Sequence, residues 1–154
     1  MANKNPTDIL RKEHEKVLEI LDKLEKGIER EDIKSIQENI KVLEEEFDKH
    51  SLNKEEKALF PEIEKFIPRE GGPTEAMIME HKELVGLIKN FKLSIKTKDF
   101  EKLNEIGNNV FSILRPHIDK ENNILFMMAD MHLDDKQKKA VLEKFKRFDS
   151  ARND

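Results

Sequence analysis

Four of the five histidines, His14, His50, His81 and His117, fall on apolar helical seams. Two of them are followed closely by a glutamate, Glu55 after His50 and Glu121 after His117. Residues four apart share a helix face, so His117 and Glu121 point the same way. His50 and Glu55 are five apart and need a local π-bulge to do so, a feature common at functional sites. One buried histidine is more often a hydrogen-bonded core residue than a ligand. Four at matched positions with two carboxylates are better read as a dinuclear metal site. Each ion would receive two imidazoles, and Glu55 and Glu121 would bridge. An oxo or hydroxo group could complete a third bridge. Nitrogen and oxygen donors with unfilled positions favour two iron ions over manganese, zinc or calcium. A buried carboxylate without a partner is costly, and metal charge gives these two a reason to be inside. Ligation needs neutral imidazole, so affinity is expected to fall below about pH 6.5.

The positioning elements are legible from apolar spacing. A first helix starts near Asn5-Pro6-Thr7-Asp8 and carries Leu10, His14, Val17, Leu21, Leu24 and Ile28 in alternating steps of four and three. A second carries Ile33, Ile36, Ile40, Leu43, Phe47 and His50, slips register to Glu55, and continues through Leu59, Ile63 and Phe66. Pro61 weakens it, and Pro68 to Pro73, with two glycines, breaks the chain. A third carries Met77, His81, Leu84, Ile88, Phe91 and Ile95. A fourth carries Phe100, Leu103, Ile106, Val110, Ile113, His117, Glu121, Leu125 and Met128, with a bend expected at Pro116. Asp134 caps a last helix to about Phe148, with Leu133, Val141, Leu142, Phe145 and Phe148 on its apolar side, and Ala151 to Asp154 fray.

The halves repeat. His81 follows His14 by 67 positions and His117 follows His50 by 67, but Glu121 follows Glu55 by only 66. The extra residue lies between His50 and Glu55. Two repeated hairpins imply an all-α antiparallel four-helix bundle with an extra C-terminal helix. A single domain over 1–154 is expected, with its core about 7–130 and the last helix about 134–148. The open coordination positions would be lined by Leu59, Phe60, Leu125 and Phe126. Glu13 and Glu80, each just before a histidine of the first or third helix, read as mainly solvated, with support of the centre or additional ligation as the alternative; Met127, Met128 and Met131 read as core filling, and His132 as a surface or packing residue.

Composition removes several functions. The 154 residues carry 29 basic and 33 acidic side chains, interspersed, for a net charge of −4, so no nucleic-acid footprint exists. The runs Glu44 to Glu46 and Lys136 to Lys139 read as solvated faces. No cysteine is present, which excludes disulfides, thiolate metal sites and thiol catalysis. Tyr is absent too, so no phenolic redox partner exists. Met1 to Pro6 is polar and unlike a signal peptide, and no run reaches a membrane span. A cytoplasmic location is the expectation.

His50…Glu55-Glu56-x-x-Leu59-Phe60-Pro61 and His117-x-x-x-Glu121-Asn122-x-x-Leu125-Phe126 resemble the motifs of the hemerythrin-like, HHE cation-binding family. The resemblance covers about Thr7 to Asp130 and implies a bundle with a non-haem, oxo-bridged di-iron centre. Oxygen-carrying hemerythrins have a fifth histidine one turn from another on the third helix. Here the positions either side of His81 are Met77 and Val85. The remaining four-His, two-Glu set is similar to that of bacterial proteins repairing iron–sulfur centres, which also carry a cysteine-containing segment. The expected function is binding or sensing of dioxygen, nitric oxide or peroxide. The alternatives are a di-iron enzyme reducing nitric oxide or peroxide, and an iron-handling or repair protein.

Overall fold

The computed structural model describes residues 5–152, with side chains described to Ser150. Met1 to Lys4, and Asn153 and Asp154 of the expected frayed end, lie outside the described residues. Every regular element among the described residues is helical, and none is long and apolar enough to cross a membrane.

The described residues form five helical rods. The first is α1 (Pro6–Glu29), where Asn5 accepts from the Thr7 N–H and Pro6 occupies the first turn, where a missing donor costs nothing. The second joins α2 (Ile33–Phe47), a π segment (Asp48–Leu59) and α3 (Phe60–Ile63). Asp32 caps it by accepting from the Ser35 N–H. The third is α4 (Pro73–Thr97), ended by Lys98 in the left-handed region at φ 53°. Asp99 caps the fourth, which joins α5 (Phe100–Lys120), a second π segment (Glu121–Leu125) and α6 (Phe126–His132). The fifth is α7 (Asp135–Arg152), four residues longer at its end than its apolar pattern suggests. Asp134 accepts from the Gln137 N–H while Gln137 accepts from the Asp134 N–H, a reciprocal cap.

Neighbouring rods pack α1 on α2, α4 on α5, α1 on α5 and α2 on α4, while α7 lies on the first π segment and touches α1. The apolar interior is divided in two. One cluster holds Val17 to Ile28, the buried face of α2, Leu84 to Ile95 and the buried face of α5. The other holds Leu10, Ala58 to Ile63, Met77, Leu125 to Leu133, Val141 and Phe145. On α1, His14 falls between Leu10 and Val17; on α4, His81 falls between Met77 and Leu84. The histidines thus form a polar layer between two apolar blocks.

Two expectations need correction. The inward face of α5 is Leu103, Gly107, Val110, Phe111, Leu114 and His117, so Ile106 and Ile113 are only half-buried. A valine or isoleucine stripe and its neighbour one position round the helix look alike in sequence. Met127 is 52% and Met131 77% exposed, so they are surface residues rather than core filling. Pro116 lies inside a continuous α5, and the departure from α geometry comes after it, from Glu121.

Gly86 is an exposed residue inside α4, and a Cβ added there meets nothing within 4 Å. Glycine inside a helix is less favourable than alanine by about 0.5–1 kcal/mol. Gly86→Ala should therefore raise the melting temperature by roughly 1–4 °C, read by circular dichroism. A lower melting temperature would show that α4 needs flexibility there.

Candidate metal centre

The five-residue step from His50 to Glu55 lies wholly within the first π segment. The wider turn puts both side chains on one face, with His50 Nε2 2.8 Å from Glu55 Oε2. A regular α-helix would have turned Glu55 away, so the irregularity assembles the site. The second π segment starts at Glu121 and was not foreseen, because His117 and Glu121 already have α-helical spacing. The two segments end alike: the Phe60 N–H bonds to the Glu55 carbonyl, and the Phe126 N–H to the Glu121 carbonyl. Glutamate and phenylalanine thus stand at opposite ends of one i→i−5 bond. Pro61, which has no N–H, then lies in the first turn of α3.

All six expected residues come together, and each is at most 2% exposed. They form two overlapping groups, His14–His50–Glu55–Glu121 and Glu55–His81–His117–Glu121. In each group the candidate donor atoms lie within 4.8 Å of one another, and both carboxylates belong to both. Glu55 faces His50 through Oε2 and His81 through Oε1, at 2.8 and 3.2 Å. Glu121 Oε1 is 3.1 Å from His14 Nε2 and 3.3 Å from His117 Nε2. His81 Nε2 and His117 Nε2 are 3.2 Å apart.

Each imidazole is fixed from behind. Nδ1–H donates to Asn122 Oδ1 at 2.7 Å from His14, and to Glu13 Oε1 at 2.9 Å from His50. It donates to Glu56 Oε2 at 2.6 Å from His81, and to Glu80 Oε1 at 2.7 Å from His117. Since every acceptor is an oxygen, the proton resides on Nδ1 and Nε2 is turned inward. This is the usual support for a metal-ligating histidine. Glu13 and Glu80 were expected to be mainly solvated; instead each holds the second histidine of its own half, 37 positions on. The residues after the two central glutamates, Glu56 and Asn122, hold the first histidine of the opposite half. Only one signal in sequence could have found them: each lies next to a candidate ligand.

The residues fit a cation. Glu55 Oε1 and both oxygens of Glu121 are buried without a hydrogen bond, although imidazole nitrogens lie near them. With no positive ion, protons fill the role. Burial pushes the His50 pKa down, but the Glu55 charge and hydrogen bonds to Glu13 and Glu55 outweigh it, raising the pKa to about 10. His81 is raised to about 9 against the same burial by its bonds to Glu55 and Glu56. His117 is raised mainly by the Glu121 charge, again against burial. Burial raises Glu121, yet His117 and His14 pull it well below the usual carboxylate range. Glu13 is pulled down to about 2 by His50 and Lys54, burial notwithstanding.

The Leu-Phe pairs do not line an opening. Phe126 stacks on His14 with ring centroids 5.4 Å apart, and Phe60 on His81 at 6.1 Å. With Leu59 and Leu125 they form a closed apolar wall. The cavity lies on the opposite side, against His14, His50 and His117, and is walled by Val17, Leu43, Phe47, Leu114 and Ile118. Its volume is about 10 Å³, room for on the order of one water-sized molecule. Glu46 and Ser51 also line it, and Glu46, expected on a solvated face, is buried and paired with Lys16 Nζ at 2.7 Å. His132 is exposed and touches the Phe66 ring, away from the centre.

No curated protein and no solved structure matches the chain. The hemerythrin HHE cation binding domain does match, over residues 5–129, a span that contains all six clustered residues and all four of their supports. The chain therefore belongs to the hemerythrin HHE cation-binding domain family.

Proposed function

We propose that the protein is a cytoplasmic non-haem di-iron protein that binds or senses dioxygen, nitric oxide or peroxide. His14 and His50 hold one iron, His81 and His117 the other, and Glu55 and Glu121 bridge them. The rods then form an antiparallel four-helix bundle, a single domain over 1–154 with α7 added outside. The observation that carries this reading is the pair of overlapping four-residue groups sharing two carboxylates whose buried oxygens are otherwise unpaired. Six protein donors for two ions leave coordination positions unfilled. When bound, iron supplies those positions and one-electron redox chemistry.

The cavity supports a very small ligand. A space of about 10 Å³, room for on the order of one water-sized molecule, favours a ligand of only a few atoms. Its apolar walls favour an uncharged gas. The test is metal analysis of the purified protein, with absorption spectra after reduction and then exposure to oxygen and nitric oxide. About two irons per chain and a reversible spectral change support binding or sensing. Turnover of nitric oxide or peroxide would instead support an enzyme, and iron transfer to an apo partner would support repair.

Leu114→Phe should separate the cavity from the metal. Leu114 is buried on the cavity wall and is not among the clustered donors. Overpacking a core site costs about 1–3 kcal/mol, which a folded domain tolerates. Iron content should stay near wild type, while the rate of gas binding, followed by stopped-flow absorbance, should fall about tenfold or more. An unchanged rate would place the ligand's route elsewhere.

A further inference from the structure

The two halves differ most in what lies behind their glutamate supports. In each, a lysine one position before the central glutamate grips the carboxylate that holds the second histidine. Lys54 Nζ is 2.5 Å from Glu13 Oε2, and Glu13 Oε1 receives His50. Lys120 Nζ is 2.8 Å from Glu80 Oε2, and Glu80 Oε1 receives His117. The lysines are 66 positions apart, the same offset as Glu55 and Glu121. Yet the Lys120 side chain is 45% exposed and the Lys54 side chain only 2%.

The cover over Lys54 is α7. The Phe145 ring centroid is 5.5 Å from Lys54 Nζ, and Asp149 Oδ1 is 3.3 Å from it. Asp149 also reaches Lys49 at 3.5 Å. Val141 and Phe145 are buried in the same apolar block as Phe60 and Phe126, so α7 is anchored beside the lysine. A lysine is strongly hydrated and rarely buried without partners. Here two carboxylates and an aromatic face replace its water, and the low local dielectric strengthens each contact.

We infer that Lys54, covered by α7, is a positioning residue for one ion only, the ion held by His14 and His50. The chain of contacts runs from Asp149 and Phe145 to Lys54, then Glu13, then His50 Nδ1. It fixes the Glu13 carboxylate with one oxygen turned to the imidazole and excludes water that would compete for it. Lys120 makes the same contact from the surface, where water loosens it. The C-terminal helix is therefore part of the support of the first half and of no counterpart in the second. This rests on the di-iron reading above.

The test uses the full-length, iron-loaded protein and follows iron loss to excess chelator. Lys54→Met keeps length and removes the charge. It should speed release of one of the two ions by about 10–100-fold, the usual effect of losing a metal ligand's support, and leave the other unchanged. Lys54→Arg should restore most of the slow release, and Lys120→Met, at the exposed counterpart, should speed only the other ion's release and by a much smaller factor. Asp149→Ala changes a half-exposed residue and serves if Lys54→Met folds poorly; it should speed the same phase to a smaller extent. In a His50→Ala background, Lys54→Met should have no further effect. Acceleration of both ions alike, or of neither in both Lys54→Met and Asp149→Ala, overturns the inference while leaving the di-iron reading intact. A wild-type protein that retains no metal overturns both.

Discussion

Glu55→Gln is expected to remove both ions, not one. The substitution keeps shape and volume while deleting one negative charge and one anionic oxygen. Glu55 Oε2 lies 2.8 Å from His50 and Oε1 3.2 Å from His81, so one carboxylate serves both groups. Losing it leaves each ion two imidazoles and a share of Glu121. An uncharged amide also no longer offsets the charge of two buried cations, a large electrostatic loss at low dielectric. We expect iron per chain, measured by elemental analysis after gel filtration, to fall from about two to below about 0.2, a loss of affinity beyond the roughly 10–100-fold typical of outer supports. His50→Ala should be milder, retaining about one ion, because His81 and His117 still hold the other. Near-stoichiometric iron in Glu55→Gln would mean that Glu56 or water serves as the bridge. The Glu55→Gln apoprotein should keep its helical circular dichroism, which separates lost ligation from lost fold.

The distinction between one-ion and two-ion effects was partly legible in the sequence. Seam positions of His14, His50, His81 and His117 follow from helical period, and all four are buried where that period places them. The register slip before Glu55 demanded a wider turn, and the first π segment supplies it. The supports were only partly legible: Glu13 and Glu80 stand in register just before a histidine, but they and Glu56 look like any helix-face glutamate until two rods are packed together. Their partners are 37 or 25 positions away and depend on which side of a neighbouring rod faces them. The cavity was misplaced for a similar reason. Leu59, Phe60, Leu125 and Phe126 follow the ligands in sequence, but the Phe60 and Phe126 rings stack on the opposite half's histidines and close that side. Lys54 reads as one more surface lysine, and only the position of α7 makes it interior. Apolar period fixes what faces inward along one helix; the contacts between helices decide what that face meets.

The same interior makes the response to pH the opposite in the metal-free and metal-loaded protein. In the metal-free form the His50 pKa is about 10 and the His81 pKa about 9, against about 6.5 when unfolded. Groups raised on folding stabilise fully below the unfolded value, and that contribution is lost as pH rises through the folded ones. Glu13, at about 2, and Glu121 act in the reverse sense: their contribution is present above about 4.5 and is lost as pH falls. The apoprotein should therefore melt highest between about pH 4.5 and 6.5 and lose stability steadily toward pH 10. Metal binding must displace the imidazole protons, so affinity should gain about tenfold per pH unit between pH 6.5 and 9 for the ion held through His50, and at least that for the ion held by His81 and His117, both of which are raised. This extends upward, to about pH 9, the fall in affinity expected below about pH 6.5. Chelator competition at pH 6.5, 7.5 and 8.5, corrected for protonation of the chelator, reads the slope directly. Calorimetry in buffers of differing ionisation enthalpy should find at least about one proton released per ion at pH 7.5. Affinity that is flat above pH 7 would mean that the metal-free centre relaxes, separating imidazoles from carboxylates before any ion arrives.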